Sequence, residues 1–169
     1  MIKIRVGDVL NVEPGVIVHG CNSRGVMGSG VAKAVKDRYP QAFEIYRSGF
    51  EKKGQPLDLG SVTWTGVGPL KFIVNAITQD KYGYAGKLYT SYDAVRECFK
   101  SVNIVAKSFN VGVHFPLIGC DRGGGDWNIV SKIIDEEVED RYEKVLWVLK
   151  YEDAENIMKR FNNGVMVLE

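Results

Sequence analysis

The sequence predicts an α/β fold, in which a mixed, mostly parallel sheet is covered by helices on both faces. Short apolar runs, such as 72–77, alternate along the chain with segments whose apolar residues recur at helical spacing, such as 129–138. Strands that alternate with helices form parallel sheets with both faces covered. The 169 residues suffice for one domain with its own core. We place that domain at 1–161 and expect an edge strand or a tail at 162–169.

The individual elements follow from local patterns. Strands are predicted where apolar residues run together or alternate with polar ones, at 2–6, 16–18, 61–65, 72–77, 112–118 and 144–149. Helices are predicted where apolar residues recur three and four apart, at 31–38, 41–53, 95–106, 129–138 and 151–161. Tyr39-Pro40 separates the first two helices, because the residue before a proline avoids the α region. The segment 90–93 resembles a capping box ahead of the third helix.

Composition excludes several classes of protein. Lysine and arginine number 22 against 21 acidic residues, so the net charge of +1 gives no electrostatic footprint for nucleic acid or an anionic membrane. The three cysteines are widely spaced and form no metal-ligand pairs, which is typical of a reduced, intracellular protein. The sequence shows no cationic leader and no apolar run of transmembrane length. We expect a cytoplasmic monomer without a metal or cofactor.

A glycine-rich segment after the second strand is the strongest local signal. Residues 20–30, the first glycine loop, contain four glycines and lead from the strand at 16–18 into the helix at 31–38. A strand, a glycine loop and a helix N-terminus together cradle phosphate, because the first turn of a helix has unpaired N–H groups. The dinucleotide fingerprint is incomplete and no Walker A sequence is present. An ordinary tight turn therefore remains the alternative.

A second glycine-rich segment follows a later strand. Residues 119–126, the second glycine loop, come directly after the strand predicted at 112–118. Ligands of such sheets bind at the carboxyl ends of the strands. We therefore expect both glycine loops at one edge of the sheet, where together they would clamp a diphosphate.

Four ordered segments resemble the macrodomain family, whose fold binds ADP-ribose. They are Gly7-Asp8-Val9 after the first strand, His19-Gly20-Cys21-Asn22, Gly28-Ser29-Gly30-Val31-Ala32, and 115–127. The resemblance covers roughly residues 1–161 and implies a three-layer α/β/α sandwich around the sheet. Four motifs in the right order are more specific than one glycine loop.

The His-x-Cys-Asn variant at 19–22 looks like the branch that contains the yeast-type ADP-ribose 1″-phosphate phosphatases and related phage proteins. The segment Arg38-Tyr39-Pro40 also suits that branch. A sister branch hydrolyses ADP-ribosyl esters with a lysine directly after an Ile-Thr step. Here Gln79 follows Ile77-Thr78 and Lys81 comes two residues later, so that lysine is absent from its place. The resemblance implies hydrolysis of ADP-ribose 1″-phosphate. The alternatives are removal of ADP-ribose from modified macromolecules and a non-catalytic reader of ADP-ribose.

The resemblance also implies binding roles for individual residues. Asp8 would accept the adenine amino group, the Val9 N–H would bond a ring nitrogen, and Asn22 would contact the distal ribose. Tyr151 would stack on adenine, whereas Tyr82 and Tyr84 would cover the distal ribose. Backbone N–H groups of the two glycine loops would bind the ribose and the diphosphate, from Gly28, Ser29, Gly30 and Val31 on one side and Gly119, Cys120, Gly123, Gly124 and Gly125 on the other.

Catalysis would fall to His19 and Asp121. At the carboxyl end of its strand, His19 would face the 1″-phosphate and move a proton near neutral pH. Asp121 would position the attacking water or hold His19. Asp126 is the second candidate acid, although its place before a helix also suits an N-cap. Arg122 would pair with the terminal phosphate, or would simply be exposed at the surface.

Overall fold

The computed structural model describes residues 1–54, 56–81, 87–120, 123–161 and 163–169, without the side chain of Lys53. The strands of these residues are β1 (Ile2–Val6), β2 (Gly15–Asn22), β3 (Val62–Gly68), β4 (Lys71–Gln79), β5 (Val113–Phe115), β6 (Lys144–Val148) and β7 (Met166–Leu168). The helices are α1 (Gly30–Arg38), α2 (Pro40–Lys53), α3 (Tyr92–Phe109), α4 (Trp127–Glu137) and α5 (Tyr151–Phe161), with a 3₁₀ turn at Val9–Asn11. No helix of the described residues is long and apolar enough to span a membrane.

The strands form one sheet in the order β3-β4-β2-β5-β6-β1-β7. Every neighbouring pair is parallel except β3 with β4, which are antiparallel. The predicted mixed, mostly parallel sheet is confirmed. Because β2 lies between β4 and β5, the loops that follow these three strands meet at the same edge of the sheet, which we call the carboxyl edge.

Helices cover the sheet in two layers of different extent. On one face α3, α4 and α5 enclose the larger core, in which Phe99, Phe115 and Trp127 are fully buried. On the other face α1 and α2 pack over β2 and β4 through smaller clusters of apolar residues. This is the sandwich that the resemblance implied, because each helix has one apolar stripe that must be buried against the sheet.

Two boundaries differ from the sequence prediction. β5 ends at Phe115, although a strand was predicted as far as 118, because Pro116 has no N–H to donate to a neighbouring strand. The capping residue of α3 is Ser91, whose hydroxyl accepts a hydrogen bond from the Ala94 N–H at 3.2 Å. Thr90 instead donates its hydroxyl to the Gly119 carbonyl at 2.9 Å, which connects α3 to the second glycine loop.

We expect Asp126 to stabilise the fold as the N-cap of α4. Its carboxylate accepts a hydrogen bond from the Asn128 N–H at 2.9 Å. The Asp126→Ala variant should lower the free energy of unfolding by about 1 kcal/mol, measured by urea denaturation. Asp126→Asn should stay close to wild type, because the Asn side chain caps a helix as well as Asp does. Equal losses in the two variants would contradict the capping role.

Candidate functional site

The structure brings the two glycine loops together at the carboxyl edge. β2 runs into the first loop and β5 into the second, and the two strands are hydrogen-bonded neighbours. A Cβ built on Gly20 would lie 3.9 Å from the backbone nitrogen of Gly119 and 3.1 Å from the Thr78 hydroxyl oxygen. Any side chain at position 20 would therefore crowd the junction of β2, β4 and the second loop.

The first turn of α1 has free N–H groups. Ser29 occupies the N-cap position, but its side chain makes no capping hydrogen bond, and Gly30 has a φ of 60°. The backbone bonds of α1 begin with the Lys33 N–H donating to the Ser29 carbonyl at 3.2 Å. Within the described residues, the N–H groups of Gly30, Val31 and Ala32 therefore have no partner. Because the N-terminus of a helix also carries the positive end of its dipole, this turn is suited to an anion.

The second glycine loop is fastened to the segment before α3. The carbonyl of Gly123 accepts hydrogen bonds from the N–H groups of Tyr89 and Thr90, at 2.8 and 3.1 Å. The carbonyl of Gly119 accepts the Gly125 N–H at 2.7 Å and the Thr90 hydroxyl. These bonds tie the described residues of the loop to the segment before α3 and to each other.

The close packing explains why this loop needs glycines. Gly119 and Gly124 have φ values of 72° and 70°, which side chains disfavour. A Cβ on Gly125 would lie 2.6 Å from the Gly119 carbonyl oxygen, and one on Gly123 would collide with the Thr90 hydroxyl. The glycines thus have a structural purpose, and their contact with a diphosphate stays a prediction.

Cys120 is a packing residue rather than a nucleophile. It is partly buried in the second glycine loop, and burial raises the pKa of its thiol to about 12. A thiol with so high a pKa is not ionised at neutral pH and is a poor nucleophile.

Asn22 organises the first glycine loop. Its side-chain oxygen accepts hydrogen bonds from the N–H groups of Arg24 and Val26 and from the Tyr46 hydroxyl, and its amide nitrogen donates to the Val26 carbonyl. The side chain is almost entirely buried. An amide nitrogen carries two N–H groups, and one of them remains for a ligand among the described contacts. The contact with a ribose stays a prediction.

The expectation that His19 faces a ligand is wrong. Its side chain is fully buried, and its Nε2 lies 2.6 Å from the Asn75 side-chain oxygen. Asn75 in turn donates to the Ala42 carbonyl of α2, so the histidine lies between the sheet and that helix. Burial lowers the pKa of His19 to about 4, which keeps the ring neutral at pH 7. A neutral ring sealed in the core cannot exchange protons with a substrate at the carboxyl edge.

The predicted adenine end lies where β1 and β6 finish. One Asp8 oxygen accepts the Leu10 N–H at 2.9 Å, and the other lies 3.9 Å from a nitrogen of Arg38. The Val9 N–H has no partner among the described residues.

Tyr151, the first residue of α5, is 58% exposed, and Leu149 directly after β6 is 75% exposed. Both side chains offer apolar surface near the end of β6.

Several predicted residues fall elsewhere. Asp121, Arg122, Tyr82 and Tyr84 lie outside the described residues. Asp126 caps α4, as described above. His114 of β5 is buried, and its Nδ1 accepts the indole N–H of Trp147 at 3.0 Å.

Sequence reasoning missed a polar cluster beside Asn22. The Asp80 carboxylate accepts hydrogen bonds from the Ser23 hydroxyl at 2.6 Å and from an Arg24 nitrogen at 3.1 Å. Both donors hold the pKa of Asp80 below its ordinary value. Positions 23 and 80 are far apart in sequence, and only the pairing of β2 with β4 brings them together.

Comparison with known proteins agrees with this geometry. Residues 18–134 match the model of the macro domain family. The chain belongs to the macrodomain family. An uncharacterized protein of Aquifex aeolicus is 31% identical over 147 residues, which cover 81% of this chain and 80% of that protein. A macrodomain protein from Streptomyces coelicolor has a TM-score of 0.73 and 26% identity, over 87% of this chain and 97% of that one.

Two relatives carry names that describe an activity. An ADP-ribose 1″-phosphate phosphatase of Aspergillus fumigatus is 51% identical over 43 residues, which are 25% of this chain and 22% of that protein. A DNA ADP-ribosyl glycohydrolase of Mycobacterium tuberculosis is 29% identical over 136 residues, 78% of this macrodomain. The match spans only 37% of the glycohydrolase.

We expect the buried histidines to make stability depend on pH. Burial lowers the pKa of both His19 and His114 to about 4, whereas the unfolded chain binds these protons near pH 6.5. Between these values the unfolded state holds more protons, so stability falls as the pH falls, by about 1.4 kcal/mol per pH unit for each histidine. Urea denaturation at about pH 6 and about pH 5 measures this slope.

The His19→Gln variant tests the assignment of that slope. It lacks one of the two titrating groups, so its free energy of unfolding should fall less steeply between the two pH values, whatever its stability at neutral pH. An unchanged slope would show that His19 titrates alike in the folded and unfolded states.

Proposed function

We propose that this macrodomain binds ADP-ribose at the carboxyl edge and hydrolyses ADP-ribose 1″-phosphate to ADP-ribose and phosphate. The observation that carries the proposal is the first turn of α1, at the end of the loop that follows β2, whose N–H groups have no partner among the described residues. In contrast, the side chains of Ser91 and Asp126 cap α3 and α4. The short segment shared with the fungal phosphatase supports the choice of substrate.

The binding mode follows from the order of the strands. Adenine would lie at the ends of β1 and β6, with Asp8 as acceptor, the Val9 N–H as donor and Tyr151 stacked on the ring. The diphosphate would lie between the α1 N-terminus and the second glycine loop, and the distal ribose would lie beside Asn22. These contacts rely mainly on backbone N–H groups, which cost little reorganisation because both loops are held by internal hydrogen bonds.

The reaction would be attack of water on the terminal phosphorus, with cleavage of the bond between that phosphorus and the C1″ oxygen. Since His19 lies in the core, we assign it to the support of β2 rather than to proton transfer. Asp121 remains the carboxylate proposed to orient the water. Positioning and charge stabilisation by fixed donors would supply most of the rate enhancement.

Removal of ADP-ribose from a modified macromolecule is the second candidate. The resemblance to the glycohydrolase extends over 136 residues, far more than the 43 shared with the phosphatase. Against this candidate, Gln79 ends β4 where the lysine-dependent branch has its lysine, and its side-chain amide donates to the Lys81 carbonyl at 2.7 Å. A glycohydrolase of this kind would need direct attack of water at the distal ribose.

The two activities are separated by the product each releases. We expect the wild-type protein to release inorganic phosphate from ADP-ribose 1″-phosphate and no ADP-ribose from ADP-ribosylated DNA or protein. Phosphate is measured by a colorimetric assay and ADP-ribose by chromatography. Release of ADP-ribose alone would establish the second candidate. Tight binding of ADP-ribose with neither product would instead indicate a reader.

Replacing Val31 by proline tests the role of the α1 amides. Proline is tolerated in the first turn of a helix, so Val31→Pro removes one N–H donor without breaking a helical bond. A hydrogen bond to a charged group contributes about 1.5–3 kcal/mol, so affinity for ADP-ribose should fall by roughly 10- to 100-fold, measured by calorimetry.

The matched control is Val31→Ala, which removes the side chain and keeps the N–H. Because the N–H donor is kept, the affinity for ADP-ribose should stay within about threefold of wild type. A threefold change is smaller than the loss of one hydrogen bond to a charged group would cause. Equal affinities of the proline and alanine variants would place the diphosphate elsewhere.

A further inference from the structure

The Arg24–Asp80 ion pair stands at the carboxyl edge with no part in the binding mode proposed above. One Asp80 oxygen accepts the Ser23 hydroxyl at 2.6 Å, and the other lies 3.1 Å from an Arg24 nitrogen. Ser23 is buried, whereas the Arg24 and Asp80 side chains are 42% and 45% exposed. The buried serine therefore fixes the Asp80 carboxylate, and the carboxylate in turn holds the Arg24 guanidinium at the surface.

Strand pairing places this ion pair where the end of β4 meets the first glycine loop. Asn22 is paired with Gln79 in the register of β2 and β4, and the Ser23 N–H donates to the Gln79 carbonyl at 2.8 Å. The side-chain oxygen of Gln79 lies 3.1 Å from the position of a Cβ on Gly123, in the second loop. The pair thus adjoins Asn22, where the distal ribose is proposed to bind.

Most of the guanidinium of Arg24 remains available. A guanidinium has five N–H groups, and the bond to Asp80 is the one side-chain hydrogen bond of Arg24 among the described residues. Two other cations near the first loop are engaged differently. Arg47 donates to Glu51 and to the Gly25 carbonyl, and Lys33 is paired with Asp37 on the outer surface of α1.

We propose that Arg24 binds the terminal phosphate on C1″ of ADP-ribose 1″-phosphate, and that Asp80 and Ser23 are the positioning residues that hold it there. The proposal rests on the proposed function and names the residue that would favour ADP-ribose 1″-phosphate over ADP-ribose. A guanidinium matches the oxygens of a phosphate with two parallel hydrogen bonds, and holding it in advance reduces the entropy lost on binding. ADP-ribose without the terminal phosphate has no group for Arg24 to bind.

The test measures two constants for each variant. One is kcat/KM for phosphate release from ADP-ribose 1″-phosphate, and the other is the inhibition constant of ADP-ribose, which reports the rest of the site. We expect Arg24→Gln to lower kcat/KM at least tenfold and to leave the inhibition constant within twofold of wild type. Asp80→Asn should also lower kcat/KM and leave the inhibition constant close to wild type. The decrease in kcat/KM should be smaller than in Arg24→Gln, because the arginine stays but loses the carboxylate that positions it.

The matched control is Lys100→Gln, which removes a surface cation from the pair with Glu97 on α3. It should leave both constants at their wild-type values. A purely structural role of Arg24 in the first loop would raise the inhibition constant as much as it lowers kcat/KM, and that result would overturn the proposal. Wild-type values of both constants in Arg24→Gln would overturn it as well.

Failure of the proposed function gives a different result. If the wild-type protein binds ADP-ribose but releases no phosphate, the phosphatase reaction is wrong, and calorimetry then measures the affinities for the two ligands directly. A wild-type preference for the phosphorylated ligand that disappears in Arg24→Gln would still support the role of Arg24. An identical preference in the two proteins would overturn it.

Discussion

The parallel pairing of β2 with β4 and β5 is the constraint on which the rest of the structure depends. β2 pairs with β4 along its whole length, from Gly15 with Lys71 to Asn22 with Gln79. Seven of its eight residues are buried, since α1 packs on one face and α3 on the other. Because both glycine loops and the end of β4 leave from these strands, the register of this pairing decides which residues meet at the carboxyl edge.

Buried polar groups tie the two layers to that edge. The Tyr46 hydroxyl of α2 donates to the side chain and carbonyl of Asn22, and Asn75 connects His19 in β2 to the Ala42 carbonyl. Such groups are costly to bury unless each finds a partner, so they favour one arrangement of helix and sheet. The His19 motif that resembles the phosphatase branch therefore supports the strand beneath the first loop.

The chemistry of the edge comes largely from backbone groups. The first turn of α1 presents N–H groups that no side chain in the described part of the chain caps, and Thr90 and Tyr89 bond to the described residues of the second loop. Side chains contribute polar groups mainly beside Asn22, where Ser23, Arg24 and Asp80 form one connected cluster. In the proposed binding mode, the backbone would bind the constant part of the nucleotide, and a few side chains would discriminate the terminal group.

The sequence by itself determined the order of the elements, the mixed sheet and the two glycine loops, because these depend on local periodicity and on turn-forming residues. It also indicated the cap of α4, since Asp126 stands directly before a helical pattern. Only the tertiary structure decided which way a side chain of β2 faces, so His19 was expected at a ligand and lies in the core. It alone joined Asp80 to Ser23, because strand pairing between distant segments leaves no local signal in the chain.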